Sequence, residues 1–276
     1  RYYMKLTYMQ TSEKNRYQNS LTWSNIQIAS VVSDVFGKSS QKIIQHLLDN
    51  PNEEIDLPAL IHRRMKASIE QFELAIDGEI SDEQAEKLRV IKAHYDAITF
   101  CKNDLQKLIT ELGKEFEHER KLIQTVPGFQ NEFSALRVIA EIGTDMSKFP
   151  TAKHLSSWAG VCPACDESAN KKHSTKISKG GHYLKPLLVQ VANAVVRSDK
   201  YPEFKNKYLQ LKKRRGHKKA IIAIARKLLV AIYHVLKNDE VYNADLYHYQ
   251  EYVSPKKTLT VEQAVRLAIN HGYQVI

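Results

Sequence analysis

The sequence is poor in cysteine, glycine and proline, with 3, 10 and 8 of these residues among 276. So few cysteines argue against a disulfide framework and favour a reducing, cytoplasmic environment. No run of about 18 apolar residues occurs, which argues against a membrane span. Because glycine and proline are sparse, long stretches lack strong helix breakers, and hydrophobic residues make up 43% of the chain. We therefore expect a mainly helical protein with a sizeable core and no membrane partner.

Acidic residues become scarce in the second half of the chain. Residues 1–150 carry 19 Lys and Arg against 22 Asp and Glu, a net charge of −3, whereas residues 151–276 carry 22 against 9, a net charge of +13. A positive field concentrated in one region attracts polyanions and suits binding to phosphate backbones. A solvated basic face without a partner is the alternative interpretation.

Two of the three cysteines, Cys162 and Cys165, have the spacing of a zinc-binding pair. A structural zinc site requires four ligands, and the third cysteine, Cys101, is distant in sequence. Nearby histidines could complete such a site, but we interpret the pair as two small thiols packed beside a turn. We therefore assign no metal ligands.

Apolar periodicity predicts helices throughout residues 1–120, which we treat as a helical linking region and coiled coil. Shorter helices are expected over 25–36 and 57–76. A long helix capped by Ser81 is the clearest element, with Lys102 at the one polar position of its apolar stripe. Packing within the chain and assembly into a homo-oligomer are both compatible with this spacing. The stripe comprises Leu88, Ile91, Tyr95, Ile98, Leu105, Ile109, Leu112 and Phe116.

A tight turn at Thr125–Gly128 joins a short helix to an apolar helix at Ser134–Ile142. This order is similar to a helix-hairpin-helix unit, which presents backbone N–H groups to a DNA phosphate. We therefore predict a backbone phosphate contact at Gly128. An ordinary packing corner between two helices is the alternative.

Ser168 lies in a polar segment that we predict to be a loop between helices at 151–158 and 183–196. Cations near a serine neutralise an incoming phosphodiester and stabilise charge on the transferring group. Most serines in basic loops are helix caps or exposed hydroxyls, so the spacing alone leaves this role open. The lysines around it are Lys171, Lys172, Lys176 and Lys179.

A second basic cluster follows between residues 212 and 219. Adjacent cations repel one another unless an anion relieves them, so we predict that this cluster binds nucleic-acid phosphates. Tyr201, Phe204 and Tyr208 precede it, and they could stack on unpaired bases or pack in the core. The cluster consists of Lys212, Lys213, Arg214, Arg215, Lys218 and Lys219.

A series of ordered motifs between Arg1 and Tyr247 resembles the IS110/IS1111 insertion-sequence family, whose members are DEDD-type transposases related to the Piv invertase. The match is densest in the region similar to the family's C-terminal transposase domain. Its motifs include Asp145–Pro150, His154–Gly160, Cys162–Pro163, Glu167–Ala169, Lys179–Gly180 and Lys218–Ile221.

The resemblance implies an N-terminal RuvC-like domain with four Mg²⁺-binding acidic residues, a coiled-coil insertion and a C-terminal domain with a nucleophilic serine. Such proteins cut and rejoin DNA through a covalent serine–phosphate intermediate and are guided by a bridge RNA. The family's serine matches Ser168, and Ser174 is the reserve candidate. No run resembles the acidic set, and the chain begins at Arg1. We therefore expect a C-terminal portion that holds no cofactor, whereas the full-length protein uses Mg²⁺.

These observations lead to the expectation of a long coiled-coil helical arm followed by a compact helical transposase domain with a helix-hairpin-helix-like unit. The domains are placed at 1–120, 121–250 and 251–276, the last a tail helix. The expected function is DNA transposition or site-specific recombination in the bacterial cytoplasm, near the nucleoid, with DNA, a guide RNA and a second copy as partners. This chain alone is expected to be inactive. The alternative is a non-catalytic nucleic-acid-binding module that dimerises through the coiled coil.

Overall fold

The computed structural model describes residues 1–51, 53–62, 65–164, 174, 176–246, 265–266 and 269–270, and the backbone of 167–168 and 171–172. This part of the chain is mainly helical. It divides into two compact units, Arg1–Glu115 (unit 1) and Phe116–Ile276 (unit 2). The boundary lies five residues before the one placed at 120/121. Most of the tail expected at 251–276 is outside the described residues, and no helix within them is long and apolar enough to span a membrane.

Unit 1 consists of two long helices and several shorter ones. Short 3-10 helices follow the first long helix and the last one, at Ile28–Ser30 and Gly113–Phe116. The α-helices are α1 (Tyr2–Trp23), α2 (Lys38–Asp49), α3 (Leu57–Leu60), α4 (Ile69–Ala75) and α5 (Asp82–Leu112).

Helix α5 begins where the sequence predicts, because the Ser81 hydroxyl accepts a hydrogen bond from the Gln84 N–H at 3.4 Å. It packs antiparallel to α1: Gln10 Nε2 donates to Thr99 Oγ1 at 2.7 Å, and Ser20 Oγ donates to Gln84 Oε1 at 3.0 Å. The buried part of the predicted stripe therefore packs within the chain against α1. This arrangement does not test whether a second copy also binds α5.

Two helix predictions in unit 1 are wrong. Residues 25–36 contain only the 3-10 turn Ile28–Ser30, because Asn25 has a left-handed φ of +57° and Gln27 N donates to Ala75 O at 2.7 Å. Ile26, Ile28 and Val35 of this segment are nevertheless buried in the core, and Val31, Val32 and Phe36 pack against it. Instead of one helix over 57–76, the structure has the two short helices α3 and α4, the second opened by a capping box at Ser68.

Unit 2 is built around a long apolar helix that packs against four others. Further elements are the 3-10 turns Met146–Lys148 and Ala244–Leu246 and two short strands. The last helix, α11, has buried residues around most of its surface and contacts α6, α8, α9 and α10. The helices are α6 (Glu117–Thr125), α7 (Glu132–Ile142), α8 (Ala152–Trp158), α9 (Leu184–Arg197), α10 (Pro202–Arg215) and α11 (His217–Asn238).

The turn between α6 and α7 requires glycine for packing. Gly128 has a φ of +84°, and a Cβ placed there would lie 2.5 Å from Val191 Cγ1 and 2.6 Å from Val195 Cγ2 of α9. Its Cα therefore faces a neighbouring helix, as in the packing-corner interpretation. The phosphate contact predicted at Gly128 stays a prediction, and the glycine itself is explained without it.

Candidate nucleic-acid interface

Ser168 lies in a β-hairpin, so the prediction of an irregular loop between α8 and α9 is wrong. Strands β1 (Glu167–Ser168) and β2 (Lys171–Lys172) are antiparallel, and Ser168 pairs with Lys171 while Glu167 pairs with Lys172. The register therefore brings the predicted nucleophile and a predicted phosphate-binding lysine together in the backbone.

The base of this hairpin is closed by a second pairing. Pro163 forms an antiparallel bridge with Ile177, and Ala164 N donates to Lys176 O at 2.8 Å. The pairing of Pro163 with Ile177 is offset by one residue from the pairing of Glu167 with Lys172, so the register changes between the base and the tip. We call residues 163–177 the serine hairpin.

Ser174, the reserve nucleophile, lies on the returning side of the serine hairpin. It is half-buried, and its Oγ accepts a hydrogen bond from Lys176 N at 3.1 Å. Lys176 and Lys179 are exposed, as a phosphate-binding role requires. The side chains of Ser168, Lys171 and Lys172 are outside the described residues. Of the predicted CxxC pair, Cys162 is free and half-buried, and Cys165 also falls outside them.

Three glycines fix the position of the hairpin base against the preceding helix. Gly160 and Gly181 have left-handed φ values of +64° and +63°. A Cβ at Gly160 would lie 2.5 Å from Gly180 O, and one at Gly180 would lie 2.6 Å from Trp158 O. The backbone after α8 thus crosses the backbone before α9 at a distance that only glycine permits. Gly180 and Gly181 therefore permit close packing of these two backbone segments.

A lysine supports this crossing from α9. Lys185 Nζ donates to Ser178 O at 2.7 Å, and its side chain lies beside Gly160. Burial lowers the pKa of Lys185 below its ordinary value, since desolvation disfavours the charged ammonium. The sequence pattern did not single out this residue, because its role depends on the backbone crossing.

The second basic cluster lies at the junction of α10 and α11, and we call it the basic corner. All six predicted cations are exposed, and no ion pair in the described part of the chain engages them. Gly216, with a φ of +77°, joins the two helices. The corner comprises Lys212, Lys213, Arg214 and Arg215 in the last turn of α10, and Lys218 and Lys219 in the first turn of α11.

The helix dipoles of α10 and α11 have opposite effects on the cations of the basic corner. Cations stabilise the C-terminal end of α10, but they repel the partial positive charge at the N-terminal end of α11. The first turn of α11 contains no acidic residue, and no side chain caps it. The cations on α11 therefore do not stabilise the helix that carries them, and a bound anion would relieve their repulsion.

The aromatic residues of α10 mostly belong to the core. Phe204 is fully buried and Tyr208 nearly so, which excludes these two from stacking on bases. The Tyr208 hydroxyl is 2.8 Å from His217 Nδ1, and Lys212 Nζ lies 5.7 Å from the centroid of the Tyr208 ring. These contacts tie the end of α10 to the start of α11 and so hold the basic corner in shape. Tyr201 is half-buried.

One region of the chain is similar to a known transposase family. Residues 120–209 match the model of the transposase IS116/IS110/IS902 family. The match covers about a third of the chain, and it includes the serine hairpin and most of α10. The resemblance inferred from the motifs is supported over these residues.

Two relatives illustrate the similarity. The pilin gene-inverting protein of Moraxella bovis is 32% identical over 153 residues, which cover 54% of this chain and 46% of that protein. The transposase for insertion sequence element IS1111A of Coxiella burnetii is 36% identical over 124 residues, which cover 44% of this chain and 33% of that protein. The chain thus spans less than half the length of these curated relatives.

Proposed function

We propose that this chain is the DNA-handling part of an insertion-sequence transposase or site-specific recombinase, with Ser168 as its nucleophile. The similarity of residues 120–209 to the transposase family supports the class of reaction. The pairing of Ser168 with Lys171 in the serine hairpin is the single observation that carries the assignment of the nucleophile. Directly paired residues of an antiparallel ladder lie on the same face, so the hairpin register favours a serine and a cation meeting one phosphate.

The proposed reaction is an exchange of phosphodiester bonds. The serine hydroxyl loses its proton and attacks the phosphorus atom, and one bridging oxygen of the DNA backbone leaves and takes up a proton. One P–O bond forms for each one that breaks, so the reverse step rejoins the strand without an external energy source. Lys171 and Lys172 would stabilise the charge on the transferring phosphoryl group.

The basic corner would bind phosphate groups of the nucleic acid other than the one that Ser168 attacks. Its six exposed cations, which have no carboxylate partner among the described residues, supply an electrostatic, sequence-independent contact. Lys176 and Lys179 would extend this contact along the serine hairpin. The Gly128 backbone N–H would add a phosphate contact at the α6–α7 turn.

We expect the full-length protein to use Mg²⁺, but the described residues of this chain contain no evident binding site for the ion. The described residues contain no group of three or more His, Cys, Asp and Glu side chains positioned to hold an ion. Phosphoryl chemistry with a bound metal requires clustered carboxylates. We therefore derive no step through Mg²⁺ from this chain and propose that it binds DNA without cutting it.

We also propose that the chain binds a guide RNA and that it self-associates through α5. The exposed surface of α5 supports the second of these proposals. One side of α5 exposes large apolar residues that α1 does not cover, which supports an additional partner for this helix. A second copy is the occupant we propose. The exposed residues are Val90, Phe100, Leu108 and Leu112, between 53% and 67% accessible.

A non-catalytic nucleic-acid-binding module is the second candidate. The observation that favours it is the lack of a metal-binding carboxylate cluster among the described residues. The basic corner would serve such a module equally well, since phosphate binding requires no chemistry.

Trapping of a covalent adduct separates the two candidates. A longer protein that includes the expected acidic domain should form a serine–DNA adduct on its cognate DNA, and Ser168→Ala should abolish it. Ser174→Ala is the matched control and should retain the adduct. If Ser168→Ala keeps the adduct and Ser174→Ala loses it, the nucleophile is Ser174. If the wild-type protein forms no adduct but binds DNA, the non-catalytic module is the better description.

A further inference from the structure

Trp158 is the exposed aromatic residue closest in the chain to the serine hairpin. It ends α8 with 43% of its surface accessible, and its carbonyl lies at the backbone crossing with Gly180. A single exposed apolar residue on a protein surface is common and needs no explanation. Trp158 differs from such a residue because contacts with its neighbours fix the orientation of its ring and leave part of the ring exposed.

The orientation comes from a chain of contacts that reaches the core of unit 2. The Phe149 ring meets the indole edge to face, with centroids 5.9 Å apart and an interplanar angle of 61°. Phe149 is held in turn, since its carbonyl accepts a hydrogen bond from the hydroxyl of buried Tyr233 at 3.0 Å. An aromatic ring fixed in this way loses little conformational entropy when a ligand stacks on it.

The segments that flank the tip of the serine hairpin carry charge of one sign, whereas the hairpin itself contains Asp166 and Glu167. Residues 146–164 and 174–198 flank the tip of the serine hairpin and contain no Asp or Glu. An oriented aromatic face among cations is the combination that binds unpaired nucleobases, because the cations hold the backbone while the ring stacks on a base. The cations in these two segments are Lys148, Lys153, Lys176, Lys179, Lys185 and Arg197.

We propose that Trp158 stacks on an unpaired nucleobase beside the phosphate that meets the serine hairpin. The inference rests on the proposed function and adds to it a preference for locally unpaired strands. A base pair buries both faces of each base in the stack, so intact duplex offers the ring no partner except at an end. Both DNA and RNA present unpaired bases, and the experiment below distinguishes them.

The chain contains one other tryptophan, which makes a direct test simple. Trp23 is in unit 1, is 82% accessible, and has Lys87 Nζ 5.8 Å from its ring centroid. In a Trp23→Phe background, all tryptophan emission reports on Trp158. This protein is titrated with single-stranded DNA, single-stranded RNA of the same sequence, and a fully paired DNA duplex of equal length, while fluorescence anisotropy of a labelled strand measures binding.

Saturable quenching of the emission by a single strand but not by the fully paired duplex is the expected result. Trp158→Ala should weaken single-strand binding by on the order of tenfold or more, Trp158→Phe should retain most of it, and duplex affinity should stay the same in both. The strand type that quenches at the lower concentration identifies the source of the base.

Two results would overturn the inference, and they differ in what they imply for the proposed function. If single strands bind without quenching, or if Trp158→Ala binds them as tightly as the parent, Trp158 does not stack and the DNA-handling function stands. If no strand or duplex binds at all, the proposed function fails together with the inference. Unchanged duplex affinity in Trp158→Ala also shows that the variant is folded.

Discussion

Units 1 and 2 differ in net charge and in how their cations are paired with carboxylates. Unit 1 carries 15 Lys and Arg against 17 Asp and Glu, and many of its cations have carboxylate partners within the unit. Unit 2 carries 26 against 14, a net charge of +12, and within the described residues the basic corner makes no ion pair. Charge balanced inside a unit stabilises that unit or has little effect, whereas unbalanced charge repels itself and attracts anions.

Glycines permit close backbone approaches in both units, at Gly78 in unit 1 and at Gly160 and Gly180 in unit 2, so the units differ in the placement of their aromatic residues. In unit 1 the aromatic rings Tyr17, Phe36 and Tyr95 cluster between helices, with Lys14 beside two of them. In unit 2, glycines bring backbone segments together near the serine hairpin, and Trp158 remains exposed there. The comparison indicates that unit 1 is organised for internal packing and unit 2 for an external polyanion. The predictions below test this difference, beginning with the largest expected effect.

Replacing Lys212, Lys213, Arg214 and Arg215 with glutamine should lower duplex DNA affinity by roughly a thousandfold at low salt. Each lost phosphate contact removes about 0.9 from the slope of log K against log salt concentration, so the slope should become shallower by up to about 3.6. Anisotropy titrations at several salt concentrations measure both quantities.

The matched control for this variant is a quartet in unit 1. Lys87, Lys92, Lys107 and Lys114 are replaced with glutamine, which removes the same total charge from the other unit. This control should change affinity and slope only slightly. Equal losses in both variants would mean that net charge, and not the basic corner, governs binding.

Phe100→Glu together with Leu108→Glu should weaken self-association by about a hundredfold. Exposed apolar side chains of this size contribute about 1.5 kcal/mol each when an interface buries them. Because α1 covers the opposite side of α5, the double variant should keep the thermal midpoint of unit 1. Sedimentation equilibrium measures the dissociation constant, and a wild-type chain that is monomeric at every concentration contradicts the proposed use of this surface.

Gly128→Ala should destabilise unit 2 by about 2 kcal/mol. A left-handed φ costs a non-glycine residue about 1 kcal/mol or more, and the added methyl group would overlap Val191 and Val195. Denaturant unfolding measures the loss. Gly143→Ala is the control, since Gly143 also has a positive φ but a Cβ there has open space around it. The difference between the two variants isolates the packing contribution, and equal losses would show that only backbone strain matters.

The sequence predicts those parts of the fold that depend on local chemistry. Helix α5 is found where a Ser81 cap and a long apolar stripe place it, and α7 and α9 follow from similar periodicity. The basic corner is exposed as expected, because a run of adjacent cations has no favourable place in a core. Predicting these features requires only information about residues that are neighbours along one helix.

Features that depend on distant contacts were missed. The apolar residues between 25 and 36 fit a helical spacing, yet they pack as an irregular segment because the backbone N–H of Gln27 bonds to Ala75 O. The serine hairpin has strands of two residues, too short for an alternating pattern to reveal. The crossing of Gly160 with Gly180 joins residues twenty apart and leaves no periodic signal.

The smallest predicted effect concerns one charge pair at the surface of unit 2. His118 Nε2 bonds to the Asp239 carboxylate, and this contact raises the pKa of His118 above its ordinary value. A group whose folded pKa is raised stabilises the fold fully below the unfolded pKa of about 6.5, and this stabilisation is lost as pH rises through the folded value. The thermal midpoint of unit 2 should therefore fall slightly over that interval, and His118→Gln should remove this dependence. Asp239→Asn, which keeps a residue tolerant of the left-handed φ of +54° at this position, should act in the same way. If neither substitution changes the pH profile, the contact is too exposed to contribute, and paired charges in unit 2 are as unimportant for stability as its unpaired ones.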